Sequence, residues 1–293
     1  AYAGLAKAHA SLYWHIKNYQ NKKVPMHLDK SYKYSKRALS ISPNLDEANL
    51  SLAKYYQNVE KSKVSKKWDL CEKYAKKTLR INPNNGDAYL LMSRIYAYDD
   101  NKELRYLKKA VKKNAFLADA HNNMGVIYLN KKQYYSALSA FKKTIEIDPD
   151  YKIAYMNIGV VYAEQGKKRK ALKMYKKVVD KYPNYPLGLT NLGIGYRDLK
   201  QYDKALIYFK RSVRVKPDYA FGWGEIANIY RKKKIYNRAI YYYKKSLRIE
   251  KRANTKLSKY SLANISDCYT KLKQYNTSIY YLKKAVRLHP KYA

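Results

Sequence analysis

Apolar and small residues recur in a fixed order every 34 positions along the middle of the chain. Four segments end on a tyrosine: NNMGVIY at Tyr128, MNIGVVY at Tyr162, TNLGIGY at Tyr196 and GEIANIY at Tyr230. A small residue and then an aromatic residue follow each tyrosine, namely Ala137 and Phe141, Ala171 and Tyr175, Ala205 and Phe209, and Ala239 and Tyr243. The aromatic residue stands four positions after the small one, which is the spacing of one side of an α-helix.

A proline closes three of these periods, at Pro149, Pro183 and Pro217, and Lys251 stands there in the fourth. The pattern W-x2-L-G-x2-Y, A-x3-F and P is that of the tetratricopeptide repeat (TPR), and Trp223 occupies its tryptophan position. The chain therefore resembles the TPR superfamily. The resemblance implies an all-α, right-handed superhelical solenoid in which each unit is a helical hairpin and stacked hairpins share one core.

The resemblance extends over the whole chain as a single solenoid, 1–293. Its outer units differ in length: one is two residues short, and insertions lie around 20–29, before a second helix near 60, and at the spacer 251–258. Gly125, Gly159 and Gly193 fall inside helices, where we expect them to permit close helix–helix approach. The eight units are predicted near 1–43, 44–84, 85–115, 116–149, 150–183, 184–217, 218–257 and 258–293.

The second helix of every unit carries a pair of adjacent basic residues. The chain has 62 Lys and Arg against 22 Asp and Glu, a net charge of +40. A pair directly after the buried aromatic position lies 100° and 200° further round the helix, so both members are expected to point to solvent. The pairs are Lys36 and Arg37, Lys76 and Lys77, Lys108 and Lys109, Lys142 and Lys143, Lys176 and Lys177, Lys210 and Arg211, Lys244 and Lys245, and Lys283 and Lys284.

Because second helices form the convex side of a TPR superhelix, the pairs predict a basic stripe there. Neighbouring tyrosines could stack on bases or sugars, namely Tyr208, Tyr241, Tyr242, Tyr280 and Tyr281. A polyanion such as nucleic acid or acidic polysaccharide would bind such a face. A solvated face that only keeps the protein soluble is the other interpretation. An AT-rich genome would favour Lys, Asn, Ile and Tyr, but it does not explain 36 Tyr beside four Phe.

First helices line the concave groove in this family, and asparagines stand at a position expected to face it. They are Asn123, Asn157, Asn191 and Asn264, with Glu225 at the same place in the seventh unit. A side-chain amide both donates and accepts hydrogen bonds, so a ladder of amides could hold the backbone of an extended peptide. The ladder resembles that of O-linked N-acetylglucosamine transferases, whose catalytic domain is absent. Further groove candidates are Asn122, Asn228, Arg197, Arg94, Asp119, Asp198, Arg231 and Asp267.

Other residues with chemical potential are expected to be structural. The five histidines lack the spacing of metal ligands, and His121 is expected in the core. Cys71 and Cys268 are expected to be buried and inert, and Trp14 and Trp68 to pack. The sequence shows no phosphate-binding glycine loop and no catalytic motif, and the lysine–asparagine–arginine clamp that binds chaperone tails in some TPR domains is not reproduced. We therefore expect a protein without enzymatic activity, cofactor or metal.

The sequence thus predicts an interaction scaffold whose groove takes an extended protein segment and whose basic face associates with a polyanion. Two alternatives stay open. One is a structural subunit that stacks head to tail into a fibre, extracellular and coated with acidic sugar; the other is a nonspecific nucleic-acid-binding protein. The chain starts with Ala1, which suggests a processed or trimmed product. The compartment, cytoplasmic or extracellular, stays open, and no transmembrane segment is visible.

Overall fold

The predicted all-α class is confirmed by a computed structural model, which describes residues 1–19, 25–59, 66–252 and 259–288. Within these ranges, side chains are described except at 14–19, 25 and 259. Trp14, His15 and His289 therefore lie outside the described side chains, as do most of the insertions. The described residues form sixteen α-helices, which alternate as the first and second helix of eight hairpins.

The chain divides into two compact units, 1–151 and 152–293. The helices of unit 1 are α1 (Tyr2–Tyr19), α2 (Pro25–Ile41), α3 (Asp46–Asn58), α4 (Lys67–Ile81), α5 (Gly86–Ile95), α6 (Asp100–Lys113), α7 (Ala118–Asn130) and α8 (Tyr134–Ile147). Those of unit 2 are α9 (Lys152–Glu164), α10 (Lys168–Lys181), α11 (Pro186–Asp198), α12 (Tyr202–Val215), α13 (Ala220–Lys232), α14 (Tyr236–Arg252), α15 (Lys259–Lys271) and α16 (Tyr275–Leu288).

A tight turn joins the two helices of each later hairpin, and it uses a left-handed backbone conformation. In unit 2, Gly166, Lys200, Lys234 and Lys273 have φ between 60° and 73° at this turn. The backbone N–H that follows donates to the carbonyl of the repeat tyrosine, as from Gln201 to Tyr196. This bond ends the first helix in a Schellman motif. Glycine suits the left-handed position best, yet three of these four turns place a lysine there.

The predicted close approach within hairpins is confirmed at the three repeat glycines. A Cβ added to Gly193 would lie 2.6 Å from Cε1 of Phe209, and one added to Gly159 would lie 2.3 Å from Cε1 of Tyr175. In unit 1 a Cβ on Gly125 would meet Phe141 at 2.5 Å. The same spacing of glycine and aromatic residue recurs in each of these repeats and lets a ring edge pack directly against the first helix. Phe141 and Phe209 are fully buried as a result.

Tyrosine pairs add a second layer to most hairpins. The repeat tyrosine of the first helix stacks on the residue before the buried position of the second helix, at centroid distances between 5.3 and 5.7 Å. The pairs are Tyr56 and Tyr74, Tyr96 and Tyr106, Tyr196 and Tyr208, Tyr230 and Tyr242, and Tyr269 and Tyr281. These pairs account for part of the excess of tyrosine, because the hydroxyl of a half-buried tyrosine can stay in water while its ring packs.

Candidate functional site

Charge is distributed unequally between the two kinds of helix. The eight first helices hold ten basic and eight acidic residues, a net of +2, whereas the second helices hold 37 basic and nine acidic residues, a net of +28. We call the exposed side chains of the odd-numbered helices the first-helix face, and those of the even-numbered helices the second-helix face. Most of the positive charge of the helices therefore lies on the second-helix face.

In every second helix except α14, at least one member of the predicted basic pair is exposed. Both members are exposed in α2, α6 and α10, where the pairs include Lys176 and Lys177. Some second members are occupied within the protein: Lys143 Nζ lies 2.7 Å from Glu146 Oε1, and Arg211 donates to the carbonyl of Pro183.

The pair on α14 differs from the prediction that both members point to solvent. Lys244 and Lys245 are half-buried. Lys244 Nζ donates to the hydroxyl of Tyr269 at 2.9 Å, and Lys245 Nζ lies 3.5 Å from the ring centroid of Trp223. Aromatic faces attract these cations, so Lys245 lies over Trp223 of its own hairpin and Lys244 lies against Tyr269 of the next hairpin. Helix geometry alone does not reveal this effect.

The predicted stacking tyrosines divide into two groups. Tyr208, Tyr242 and Tyr281 are not free to stack on a ligand, because each is already stacked on a tyrosine of its own hairpin. Tyr241 and Tyr280 are exposed instead. The helical period explains the division, because adjacent residues lie about 100° apart and only one of the two can face the hairpin.

On the first-helix face, the asparagines at the predicted ladder position are half-buried at Asn123, Asn157, Asn191 and Asn264. The side chains of Asn191 and Asn264 form no hydrogen bond within the described part of the chain. Asn122, also predicted for the groove, is buried. It is the neighbour of Asn123 on α7, and the 100° step turns it inward.

Glu225 is not a groove residue as predicted, because it is buried and paired. Arg197 donates to its carboxylate, and Asn228 Nδ2 donates to Oε1 at 3.1 Å. Arg197 also donates to Asp198. Burial raises the pKa of Glu225, and the positive charge of Arg197 opposes that shift. The interruption of the asparagine ladder is therefore an internal ion pair between α11 and α13.

Ion pairs join consecutive first helices within each unit, a feature that sequence reasoning missed. In unit 1 the bonds run from Lys7 to Glu47, from Lys54 to Asp87 and from Arg94 to Asp119, at 2.7 to 2.8 Å. In unit 2, Arg197 pairs with Glu225, and Arg231 pairs with Asp267 at 3.2 Å. Six predicted groove candidates are thus paired with one another across repeats, namely Arg94 with Asp119, Arg197 with Glu225, and Arg231 with Asp267.

A regular signal in the sequence marks the pairs of unit 1. In each pair, the cation stands two residues before the repeat tyrosine position of its own hairpin, which is held by His9, Tyr56 or Tyr96. The carboxylate stands nine residues before the repeat tyrosine of the next hairpin. Aligning the charged residues on the repeat would have predicted these ion pairs.

Two expected packing residues behave differently. Trp68 is 45% exposed, with Lys67 Nζ 5.2 Å from its ring. His121 is not in the core: it is half-exposed, with Nε2 3.1 Å from the carbonyl oxygen of Ala115. Trp223 donates to the Pro217 carbonyl in the same way, six residues back. Both rings therefore hydrogen-bond the loop that precedes their helix.

Cys71 and Cys268 are buried as expected, and burial raises the pKa of both thiols.

His9 occupies the repeat tyrosine position of the first hairpin, where it stacks on Tyr34 and His27. Its Nδ1 lies 3.0 Å from that of His27, and burial lowers the pKa of His9. Within the described ranges, no three His, Cys, Asp or Glu side chains lie together as metal ligands. No described helix combines the length and apolar content needed to cross a membrane.

Two tetratricopeptide-repeat family models match the chain, one at residues 118–151 and 153–185 and the other at 188–219 and 260–292. No curated protein matches it in sequence.

Solved structures share the fold. The Cut9–Hcn1 hetero-tetramer of APC/C has a TM-score of 0.66 at 18% identity, over 90% of this chain and 50% of that one. Yeast Tom70 has a TM-score of 0.59 at 16% identity, over 89% of this chain and 55% of that one. Pseudomonas aeruginosa pilF has a TM-score of 0.58 at 21% identity, over 71% and 93%. The chain thus spans about half the length of the Cut9 and Tom70 chains, and these identities establish the fold alone.

Proposed function

Because the chain belongs to the tetratricopeptide-repeat superfamily, we propose that it is a non-catalytic scaffold with two binding faces. Its first-helix face takes an extended protein segment, and its second-helix face associates with a polyanion. The observation that carries the proposal is the separation of charge, with a net of +2 on the first helices and +28 on the second helices. Two faces of such different charge suit two different partners.

The protein-binding part rests on the half-buried amides of unit 2. Asn191 and Asn264 have no side-chain hydrogen bond among the described residues, so each amide can donate to and accept from a bound backbone. The ionic residues around them are largely neutralised by pairing between helices. A partner held there would be bound by backbone hydrogen bonds more than by charge, and its binding should depend little on salt.

The test is purification of the protein from its source at low salt, followed by a wash at high salt and mass spectrometry of what remains. We expect a protein partner to stay bound to the wild type and to be lost from an Asn191→Ala, Asn264→Ala variant. Asn237→Ala on α14 is the matched control, because it removes an exposed asparagine from the second-helix face of the same unit. Equal retention by all three proteins would overturn the amide-ladder proposal.

The polyanion-binding part rests on α10, which carries seven basic residues and one acidic residue. Lys173, Lys176 and Lys177 are all exposed. Replacing them with Gln removes three positive charges from the face without changing the core. Because each phosphate contact releases a counterion, the slope of log affinity against log salt should become shallower by up to about 0.9 per lost contact on a duplex.

Binding of heparin and of a DNA duplex, measured at several salt concentrations, provides the check. Lys54→Gln is the control, because it removes a lysine that is paired with Asp87 on the first-helix face. If the triple variant keeps the affinity and salt slope of the wild type, the positive charge serves solvation and not binding.

Head-to-tail association is a second candidate, favoured by the exposed apolar side of α16. Ile279 and Leu282 are each 48% exposed, whereas their equivalents Ile240 and Tyr243 on α14 are buried under the hairpin that follows. A second copy covering α16 would bury them in the same way. Electron microscopy of concentrated protein should show fibres that Leu282→Lys abolishes; separate short rods for both proteins would exclude this assembly.

A further inference from the structure

A row of exposed apolar side chains runs along the second-helix face of unit 2. Ile207 on α12, Tyr241 on α14 and Tyr280 on α16 stand at equivalent positions, each directly before the tyrosine that stacks inside its hairpin. They are 57%, 60% and 59% exposed. In unit 1, α4, α6 and α8 have Lys73, Arg105 and Ser139 at this position, so the apolar row belongs to unit 2.

The two tyrosines of the row are held in fixed orientations. The ring of Tyr241 meets Tyr242 edge to face at 5.1 Å and 83°, and that of Tyr280 meets Tyr281 at 5.3 Å and 88°. Tyr242 is itself stacked between Tyr230 and Trp223. Because the supporting rings are packed, Tyr241 and Tyr280 present their faces with little conformational freedom left to lose on binding.

Cations flank both rings on the same side of the helix. Arg238 and Arg248 are exposed and stand three residues before and seven after Tyr241, on one helical stripe. Lys284 and Arg287 stand four and seven residues after Tyr280. Helix α16 has no acidic residue, and Glu250 is the one acidic residue of α14.

The combination selects among polyanions. A duplex keeps its bases stacked inside, and an acidic polysaccharide has no aromatic ring, so neither offers a flat face to the two tyrosines. Single-stranded nucleic acid offers both an exposed base and a phosphate to each ring–cation set.

We propose that the face formed by α12, α14 and α16 binds single-stranded nucleic acid, with Tyr241 and Tyr280 stacking on bases and the flanking Arg and Lys contacting phosphates. This inference rests on the polyanion association proposed above and assigns it a ligand class and two contact residues. Sequence preference is not expected, because every base has a face to stack on and no side chain of the row is placed to read base edges.

The test measures fluorescence anisotropy of labelled oligo(dT), a DNA duplex of equal length and a heparin oligosaccharide at fixed salt. Tyr241→Leu with Tyr280→Leu keeps the charge and removes both stacking surfaces. The double variant loses stacking on two bases, so it should bind oligo(dT) at least about thirtyfold more weakly. Tyr98→Leu with Tyr135→Leu is the matched control, because it removes two more exposed tyrosines, both from unit 1, and should change nothing.

A variant that is expected to gain affinity provides a second test, because a misfolded protein would not bind more tightly. Ile207→Tyr adds a third ring at the equivalent position of α12, and we expect oligo(dT) binding to tighten several-fold while duplex and heparin binding stay unchanged. Phe in place of Tyr241 and Tyr280 should retain the wild-type affinity for oligo(dT), because the stacking surface is preserved.

Each outcome decides one proposal. If heparin and duplex bind in a salt-sensitive manner but the Leu variants bind oligo(dT) as the wild type does, the stacking inference is overturned and the polyanion proposal stands. If the Leu variants lose heparin to the same extent as oligo(dT), acidic polysaccharide is the occupant and the inference is again overturned. If none of the three probes binds even at low salt, the polyanion association itself is wrong.

Discussion

The first and second helices of each hairpin share one core and differ in everything that faces solvent. The first helices balance their charges by pairing between repeats, as Arg94 does with Asp119. The second helices leave theirs unbalanced, with 37 basic residues against nine acidic ones. A bias in codon usage acts on both kinds of helix alike, so it does not by itself account for the difference. The excess charge is a property of one face.

The contact between the two kinds of helix can be broken at one glycine. Gly193→Ala would place a Cβ 2.6 Å from the ring of Phe209, and the overpacking should lower the free energy of unfolding by about 2–3 kcal/mol. Chemical denaturation followed by circular dichroism measures the change.

The matched control for that variant is Gly224→Ala, also within a first helix of unit 2. Its added Cβ would have Ser246 Oγ at 3.8 Å as its nearest neighbour, an ordinary contact. Alanine should therefore raise stability there by up to about 1 kcal/mol through helix propensity. Equal destabilisation by both variants would mean that the close approach at Gly193 is not what the glycine serves.

The effect of the buried ion pair between first helices on stability can be tested at Glu225. Burial raises the pKa of this carboxyl, so the folded protein takes up a proton more readily than the unfolded chain. Ionised Glu225 then costs stability at neutral pH, and that cost disappears as the pH falls through its raised pKa. Glu225→Gln keeps the shape and leaves Arg197 paired with Asp198, so no uncompensated charge remains. The variant should therefore be neutral or stabilising by about 1 kcal/mol at pH 7.

The pH dependence distinguishes this account from simple loss of an ion pair. The difference in unfolding free energy between Glu225→Gln and the wild type should shrink as the pH is lowered from 7 to 4. Asp203→Asn is the comparison, because Asp203 is an exposed partner of Lys233 and its loss should cost less than about 1 kcal/mol. A strongly destabilised Gln variant at pH 7 would show that the ionised pair stabilises the fold.

The left-handed turns between first and second helices can be tested by exchanging lysine and glycine at equivalent positions. Lys200 has φ of 60° and Gly166 has φ of 73° at the equivalent turn of the preceding hairpin. A side chain in this region costs about 1 kcal/mol, so Lys200→Gly should stabilise unit 2 by about that amount and Gly166→Lys should destabilise it equally. Thermal unfolding of both variants checks the pair of shifts. Two shifts of the same sign would contradict this explanation.

The smallest effect on stability is expected on the second-helix face itself. Replacing Lys173, Lys176 and Lys177 with Gln should alter the free energy of unfolding by less than about 0.5 kcal/mol, since all three are exposed. Any change should be towards greater stability at low salt, where neighbouring positive charges repel each other most. A loss of more than 1 kcal/mol in denaturation would indicate that these lysines hold the hairpin together.

The 34-residue repeat, through its resemblance to tetratricopeptide repeats, was sufficient to predict the fold class. The spacing of the repeat tyrosine and of A-x3-F predicted both helices of the hairpins. Gly125, Gly159 and Gly193 predicted the close approach that the structure confirms. The prediction that the basic pairs lie at the surface was correct except on α14, because a residue one or two steps past a buried position lies on the outer side of a helix.

The candidate site was predicted less completely. Asn191 and Asn264 are half-buried on first helices and their role in a groove stays a prediction, whereas Asn122 and Glu225 are buried. Lys244 and Lys245 turn back onto aromatic rings, and Tyr242 is taken up in a stack while Tyr241 is exposed. The binding of a peptide, of a polyanion and of a second copy stays a prediction that the experiments above address.

By itself, the sequence determined the repeat, the helical hairpins and the side on which the positive charge lies, because these follow from the period of the α-helix and from residue type. Only the tertiary structure decided which polar and aromatic groups are consumed inside the protein and which remain for a ligand. That depends on the distance between residues about 25 to 40 positions apart, such as Arg197 and Glu225 or Lys7 and Glu47. Pairing of this kind is settled by how one hairpin stacks on the next.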